Sequence, residues 1–286
     1  MLRMGGKPTS YIHEIKIKKT GEEVRIIPFS DVHWGAKNCA SEKFIEHLKR
    51  AGDHPHAWFI GGGDYLDFSK AGDRAIIRNC AESTTNFMDE IAQQKLEEFY
   101  SVVAPIIKGR TIGLLEGNHH WQFSVTGDTC TERLCQMLGV KYLGCLSSIV
   151  LKFEYSNCRA SYPIFIAHRT GAGGGYTAGA SFNQLQRAAG WFRNAKAYIS
   201  GDDHSLGHIT IGGMIVDRNT GEWKDESIHL IKTGQWQKAY MEDVPNYLVE
   251  KPAAPKALGL PYITLRYTRT QLDKKQYVKL HSSVTA

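Results

Sequence analysis

The sequence contains no C-x-x-C pair, no run of Lys and Arg longer than three residues, and no apolar stretch long enough to cross a bilayer. The first absence removes the common redox and zinc-ribbon frameworks, the second a polybasic nucleic-acid arm, and the third a membrane-spanning helix. A Gly-Lys-Ser/Thr step is missing as well, so the glycine-rich "HRTGAGGGYTAG" is not a P-loop. The amino end, "MLRMGGKPTSYIHEIKIKK", has basic residues but no apolar core, which argues against a secretory signal and for a cytoplasmic location.

What is present fits one domain spanning 1–286. The 286 residues are 42% hydrophobic and 22% charged, with a formal charge of +6 and a pI near 8.9. That balance leans toward acidic partners such as DNA, RNA or nucleotides, and with no bilayer-spanning run no membrane partner is expected. Cys39, Cys80, Cys130, Cys135, Cys145 and Cys158 are scattered and read as free thiols.

Periodicity predicts alternating strands and helices in the first half. "IHEIKIKK" and "VRIIPFSD" flank the turn "TGEE" and read as an opening strand pair. "SEKFIEHLKRAG" reads as a helix with a serine N-cap, followed by the strand "AWFIGGGD". "TTNFMDEIAQQKLEEFYSVVAPI" and "TCTERLCQMLG" are further helices. Later strands are "SSIVLKFEY", "YPIFIAH", "AKAYISGDD", "IHLIKTG" and "PYITLRYT", interrupted by the helix "SFNQLQRAAGWFRN". The pattern predicts an α/β protein of two sheets packed face to face, with helices outside. "VEKPAAPKALGLP" reads as a surface loop.

Five segments carry chemistry: "FSDVHWG", "GGGDYLD", "LEGNHHW", "FIAHRTG" and "YISGDDH". In each, a short apolar strand runs into a turn bearing Asp, Asn or His, and such strand ends converge where α/β proteins bind ligands. Asp31 and His33 can reach one face of an extended turn. Asp64 adds a carboxylate able to bridge two cations, while Asn118, His168 and His204 add neutral donors. Carboxylate and imidazole without thiolate suit manganese foremost, with iron, zinc, magnesium or nickel as alternatives. Two such ions can hold and polarise a phosphate and activate a water.

In these motifs the chain resembles the calcineurin-like metallophosphoesterases, whose pattern is D-x-H, G-D-x-x-D, G-N-H-[D/E], a lone His and G-H-x-H. Here they read Asp31-Val32-His33, Gly63-Asp64-Tyr65-Leu66-Asp67, Gly117-Asn118-His119-His120, His168 and Gly201-Asp202-Asp203-His204. The motifs span 31–204, and the stretch 205–286 resembles the closing strands of small phage or prophage members, which would place the protein in a host cytoplasm. The resemblance implies a four-layer α/β/β/α sandwich and two divalent cations. Asp31, His33 and His204 would hold the first, Asp64 would bridge, and Asn118, His168 and the residue at 202 would hold the second. It also implies that His119 assists the leaving oxygen, oriented and kept protonated by Asp67.

Three departures bear on function. Asp202 stands where the family has His, His120 where it usually has Asp or Glu, and Phe68-Ser69 where its protein phosphatases have an Arg-Gly that grips a monoester. The sequence therefore reads as a phosphodiesterase or nuclease. A phosphomonoesterase on a small molecule or phosphoprotein stays open, as does a binding protein disabled at Asp202. Arg169, beside His168, is a candidate phosphate contact. Trp34 and Trp121 read as core or rim packing, and His54, His56, His208 and His229 as surface histidines.

Overall fold

The computed structural model describes residues 8–68, 74, 76–77, 82–155, 158–171, 179–217, 220–241, 255–272 and 275–286. Most of the glycine-rich loop after His168, residues 249–254 of the Pro/Ala-rich segment and Cys80 lie outside them.

Two mixed sheets of six strands form the body. The first contains β2 (Glu23–Phe29), β3 (Ala57–Gly61), β4 (Thr111–Leu114), β5 (Lys141–Tyr142), β11 (Tyr262–Leu272) and β12 (Lys275–Thr285). Its strand order is β12-β11-β2-β3-β4-β5. The second contains β1 (Thr9–Lys16), β6 (Leu146–Tyr155), β7 (Cys158–Ala167), β8 (Ala197–Ser200), β9 (Leu206–Val216) and β10 (Trp223–Thr233). Its order is β1-β6-β7-β8-β10-β9. The helices are α1 (Ser41–Gly52), α2 (Glu82–Ile107), α3 (Cys130–Leu138) and α4 (Ala180–Trp191).

Successive residues of a strand point to opposite faces, and this sorts the core into layers. Ile26 and Ile60 of the first sheet meet Ile149, Ile164 and Ile199 of the second in one buried cluster, the seam between the sheets. Their neighbours Ile27 and Phe59 face the other way, onto Phe44 and Leu48 of α1 and Phe99 of α2. On the far side, Phe165, Tyr198 and Leu230 meet Phe182 and Leu185 of α4. Helix, sheet, sheet and helix therefore stack in the expected four layers. No described helix is long and apolar enough to cross a membrane.

Local sequence explains the helix ends. Thr129 caps α3 through the Glu132 amide, Glu132 returns a bond to the Thr129 amide, and Gly139 closes the helix in the left-handed conformation at φ 72°. At α1 the expected serine cap is displaced by one residue: Ala40 takes the cap position without a side-chain bond, and Ser41 begins the helix.

The opening strands do not pair with each other. β1 runs parallel to β6 at the edge of the second sheet, while β2 lies between β3 and β11 in the first. The intervening turn carries the chain from sheet to sheet, with the buried Glu22 carboxylate accepting the Lys18 and Lys19 amides at 2.8 and 3.2 Å. Burial patterns separate the strands: β1 is covered on alternate residues at most, whereas the end of β2 is buried on both faces. His229 also departs from expectation, being buried between the hydroxyls of Thr210 and Ser282.

Candidate metal centre

Strand register brings the five segments together. Phe29 pairs with Gly61 and Gly61 with Leu114 across the parallel strands β2, β3 and β4, so the turns after them leave the sheet at one level. In the second sheet Ala167 pairs with Ser200, which levels the turns after β7 and β8. The two rims are joined by Ser30 Oγ, 2.5 Å from Thr233 Oγ1, and by the Trp236 amide donating to the Asp31 carbonyl at 3.0 Å.

The resulting cluster is tight. Asp31, His33 and His204 offer one ligand atom each within 4.8 Å of one another, and so do Asp31, Asp64 and His168. A third group within the same limit is His33, Asp67 and His119. Asp31 is shared by the first two groups, and Asp64 Oδ2 lies 3.2 Å from His168 Nε2 and 3.9 Å from His33 Nε2. Asn118 places its amide against Asp64 Oδ2 at 2.7 Å and His168 Nε2 at 3.1 Å. With the amide oxygen toward the carboxylate both atoms are acceptors, an arrangement a cation reconciles. Turned over, the amide nitrogen donates to the Asp64 carboxylate.

The backbone around the cluster is strained. Asp31, His33, Asp64, Asp202 and His204 have positive φ, between 50° and 66°, and the other described non-glycine residues in that region are Asn194 and Tyr240. Such a conformation costs on the order of 1–3 kcal/mol per residue and persists only where surrounding bonds over-determine it. The bonds are present: Asp31 N–H donates to Gly63 O, His33 N–H to Asp64 O, and Asp202 N–H to both Asp31 carboxylate oxygens at 3.2 Å. Glycines supply the remaining room. A Cβ on Gly117 would overlap the Asp64 amide and carboxylate, and one on Gly201 would overlap Asp31 Oδ2 and Ser30 Oγ.

These residues fit divalent cations. His33 donates from Nδ1 to Asp67 Oδ1 (3.2 Å), leaving its buried Nε2 without a hydrogen-bond partner. His168 is held the same way, Nδ1 against the Gly62 carbonyl at 2.8 Å and Nε2 toward Asp64 and Asn118. Metal-binding imidazoles are oriented through their second nitrogen in this manner. The carboxylates of Asp31 and Asp64 are buried in a cluster where the cationic partners are imidazoles. Burial opposes their charge, yet the His204 hydrogen bond holds Asp31 below its ordinary range, and His168 does the same for Asp64. Burial likewise opposes His168, but Asp64 outweighs it and raises the imidazole to about 10. His33 is raised too, with burial opposing and the Asp67 bond prevailing.

Several expected roles are rearranged. Asp67 lies closer to His33 Nδ1 (3.2 Å) than to His119 Nδ1 (3.9 Å), and His119 instead meets the Phe68 carbonyl at 2.8 Å. A chain carbonyl thus takes the orienting position expected of Asp67, and burial lowers the His119 pKa where protonation was expected to be favoured. Asp202 is in neither three-residue group with Asp31. Its Oδ1 is 3.9 Å from His168 Nε2, and its Oδ2 is 3.1 Å from Arg169 Nε. Asp203 turns away to the buried Lys232, 2.6 Å distant. His120 is buried with Nδ1 on the Gly117 carbonyl at 2.8 Å, and Trp121 is core, donating to Asp89.

Two supports went unread in the sequence. Lys232 Nζ donates to Ser200 Oγ at 2.8 Å besides meeting Asp203, clamping the turn that bears Asp202 and His204. Its signal was a lone lysine in the apolar strand "IHLIKTG". Arg74 donates to the Asn118 and His120 carbonyls at 3.0 and 2.8 Å, fixing the backbone on both sides of His119.

No family model and no curated protein matches the chain. Among solved structures, it is similar to Vacuolar Protein Sorting 29 from Cryptosporidium parvum. That pair is 13% identical over 92% of this chain and 99% of that one, with a TM-score of 0.35. It is also similar to GAP50, the anchor in the inner membrane complex of Plasmodium, at 10% identity, 90% and 88% coverage, and a TM-score of 0.36.

Proposed function

We propose that the protein is a metal-dependent phosphoester hydrolase whose substrates are phosphodiesters in nucleic acids or nucleotides. The observation that carries this reading is the strained rim: five positive-φ residues, Asp31, His33, Asp64, Asp202 and His204, all present metal-ligand chemistry at one place. Evolution keeps such strain where geometry serves a site.

Two divalent cations bound there would polarise a phosphoryl group and activate a water for in-line attack. Asp31, His33 and His204 would hold one, and Asn118, His168 and Asp202 the other, with Asp64 between them. Manganese best suits this oxygen-rich donor set. Asp67 and the Gly62 carbonyl orient the His33 and His168 rings so that each presents Nε2. His119, with Nδ1–H donated to the Phe68 carbonyl, would carry a transferable proton at Nε2 once protonated. Because burial weakens its hold on that proton, the imidazolium is a stronger acid toward a departing oxygen.

The diester preference rests on charge. Phe68, at the place where the phosphatases of the resembled family carry an arginine, is buried against Trp121 and supplies only its carbonyl to the site. A doubly charged monoester would lack that cation, whereas a singly charged diester needs less. The pairing of Asp202 with Arg169 favours a second reading, a binding protein with an impaired second cation site. Hydrolysis of bis-p-nitrophenyl phosphate with manganese, against a chelated control, tests the two. Manganese-dependent turnover exceeding that of p-nitrophenyl phosphate is expected; no turnover of either ester favours the binding protein.

A further inference from the structure

We propose that Arg169 and the second cation compete for the Asp202 carboxylate, and that the guanidinium released by the cation grips the substrate phosphate. This rests on the cation-centre reading above and adds to it a link between substrate and cation occupancy.

Asp202 is fixed at its backbone and divided at its side chain. Its amide is tied to both Asp31 oxygens at 3.2 Å, in a left-handed conformation of φ 66°. One carboxylate oxygen faces His168 Nε2 at 3.9 Å, and the other meets Arg169 Nε at 3.1 Å. The carboxylate stands apart from the group of Asp31, Asp64 and His168, whose ligand atoms lie within 4.8 Å of one another. The arginine holds it on the rim.

The hold is weak. The Arg169 side chain is 56% exposed, against 18% for Asp202, and an ion pair so hydrated contributes at most about 1 kcal/mol. A divalent ion beside His168 outbids it, since rotation of the side chain on its fixed backbone moves the carboxylate inward. Arg169 directly follows His168 at the end of β7, so the freed guanidinium stays at the mouth of the site. Among the described residues no other carboxylate lies within ion-pair distance of it. Its planar fork matches two phosphoryl oxygens.

The charge count follows. In the free protein Asp202 and Arg169 cancel, which restores the neutrality that a histidine at 202 would give. Once the cation takes Asp202, one positive charge is offered to the phosphate. Each ligand therefore strengthens the other, and the coupling is reciprocal.

The test is calorimetric titration of manganese into the metal-free full chain, and of inorganic phosphate into the manganese-saturated chain, for wild type and Arg169→Gln. Arg169→Gln is expected to bind the second manganese more tightly by up to about fivefold, the ceiling set by an ion pair this exposed, to bind phosphate about tenfold more weakly, and to lose the dependence of one on the other. Arg169→Lys, which keeps the charge without the fork, is expected to fall between. A merely structural arginine would move both affinities in the same direction, and that result, or no change in either, overturns the proposal. A wild-type chain that takes up fewer than two manganese ions defeats the reading beneath it instead.

Discussion

Manganese binding should expel protons, and His168 sets the count. In the metal-free protein burial works against its charge, but Asp64 at 3.2 Å, aided by Asp31 and the Gly62 carbonyl, raises it to about 10. At pH 7 such a group is protonated in all but roughly one molecule in a thousand. A cation can use Nε2 only after that proton leaves. Loading should therefore release about one proton from His168 at pH 7, with a further contribution from His33, whose pKa the Asp67 bond raises against burial. The apparent affinity of the His168 side should climb about tenfold per pH unit from neutrality toward pH 10. The same shift acts on stability: a folded pKa above the unfolded one contributes fully below about 6.5 and is lost as pH rises through about 10. Calorimetry in buffers of different ionisation enthalpy between pH 6.5 and 8 measures the protons directly. Binding without proton release, at an affinity independent of pH, would refute the reasoning.

Other substitutions follow from the packing. Gly117→Ala should abolish binding of both cations, because the added methyl overlaps Asp64, with its Cγ only 2.8 Å away; overpacking costs about 1–3 kcal/mol, read as a lower urea midpoint. His119→Asn should leave manganese stoichiometry intact while turnover falls about a hundred- to ten-thousandfold; unchanged turnover would remove His119 from the mechanism. Lys232→Met should destabilise by up to about 3 kcal/mol, because it leaves Asp203 beside an apolar side chain, and Lys232→Met with Asp203→Asn should recover part of the loss in urea unfolding.

The fold was largely legible because alternation marks which strand faces are covered. Ile26 and Ile27 belong to different layers for that reason. The pairing of β1 was not legible. A charged turn between two strands signals a hairpin, and only the match to β6, far along the chain, draws β1 into the other sheet. At the site, the positions brought together were visible as polar turns after apolar strands. The partners of their second atoms were not, since these depend on three-dimensional direction. Phe68 contributes a carbonyl to His119, a role no side-chain pattern encodes, and Asp67 is thereby left to His33. The "GDDH" turn likewise hid its division of labour, with Asp203 turned to a buried lysine and Asp202 to the rim.

The most direct test pairs manganese content with turnover in the same samples of wild type and Asp64→Asn. After dialysis against manganese, the account predicts two ions per wild-type chain and hydrolysis of bis-p-nitrophenyl phosphate. In Asp64→Asn both the ions and the hydrolysis should be lost together. Hydrolysis that survives in Asp64→Asn, or a wild-type chain that binds no manganese, would contradict it.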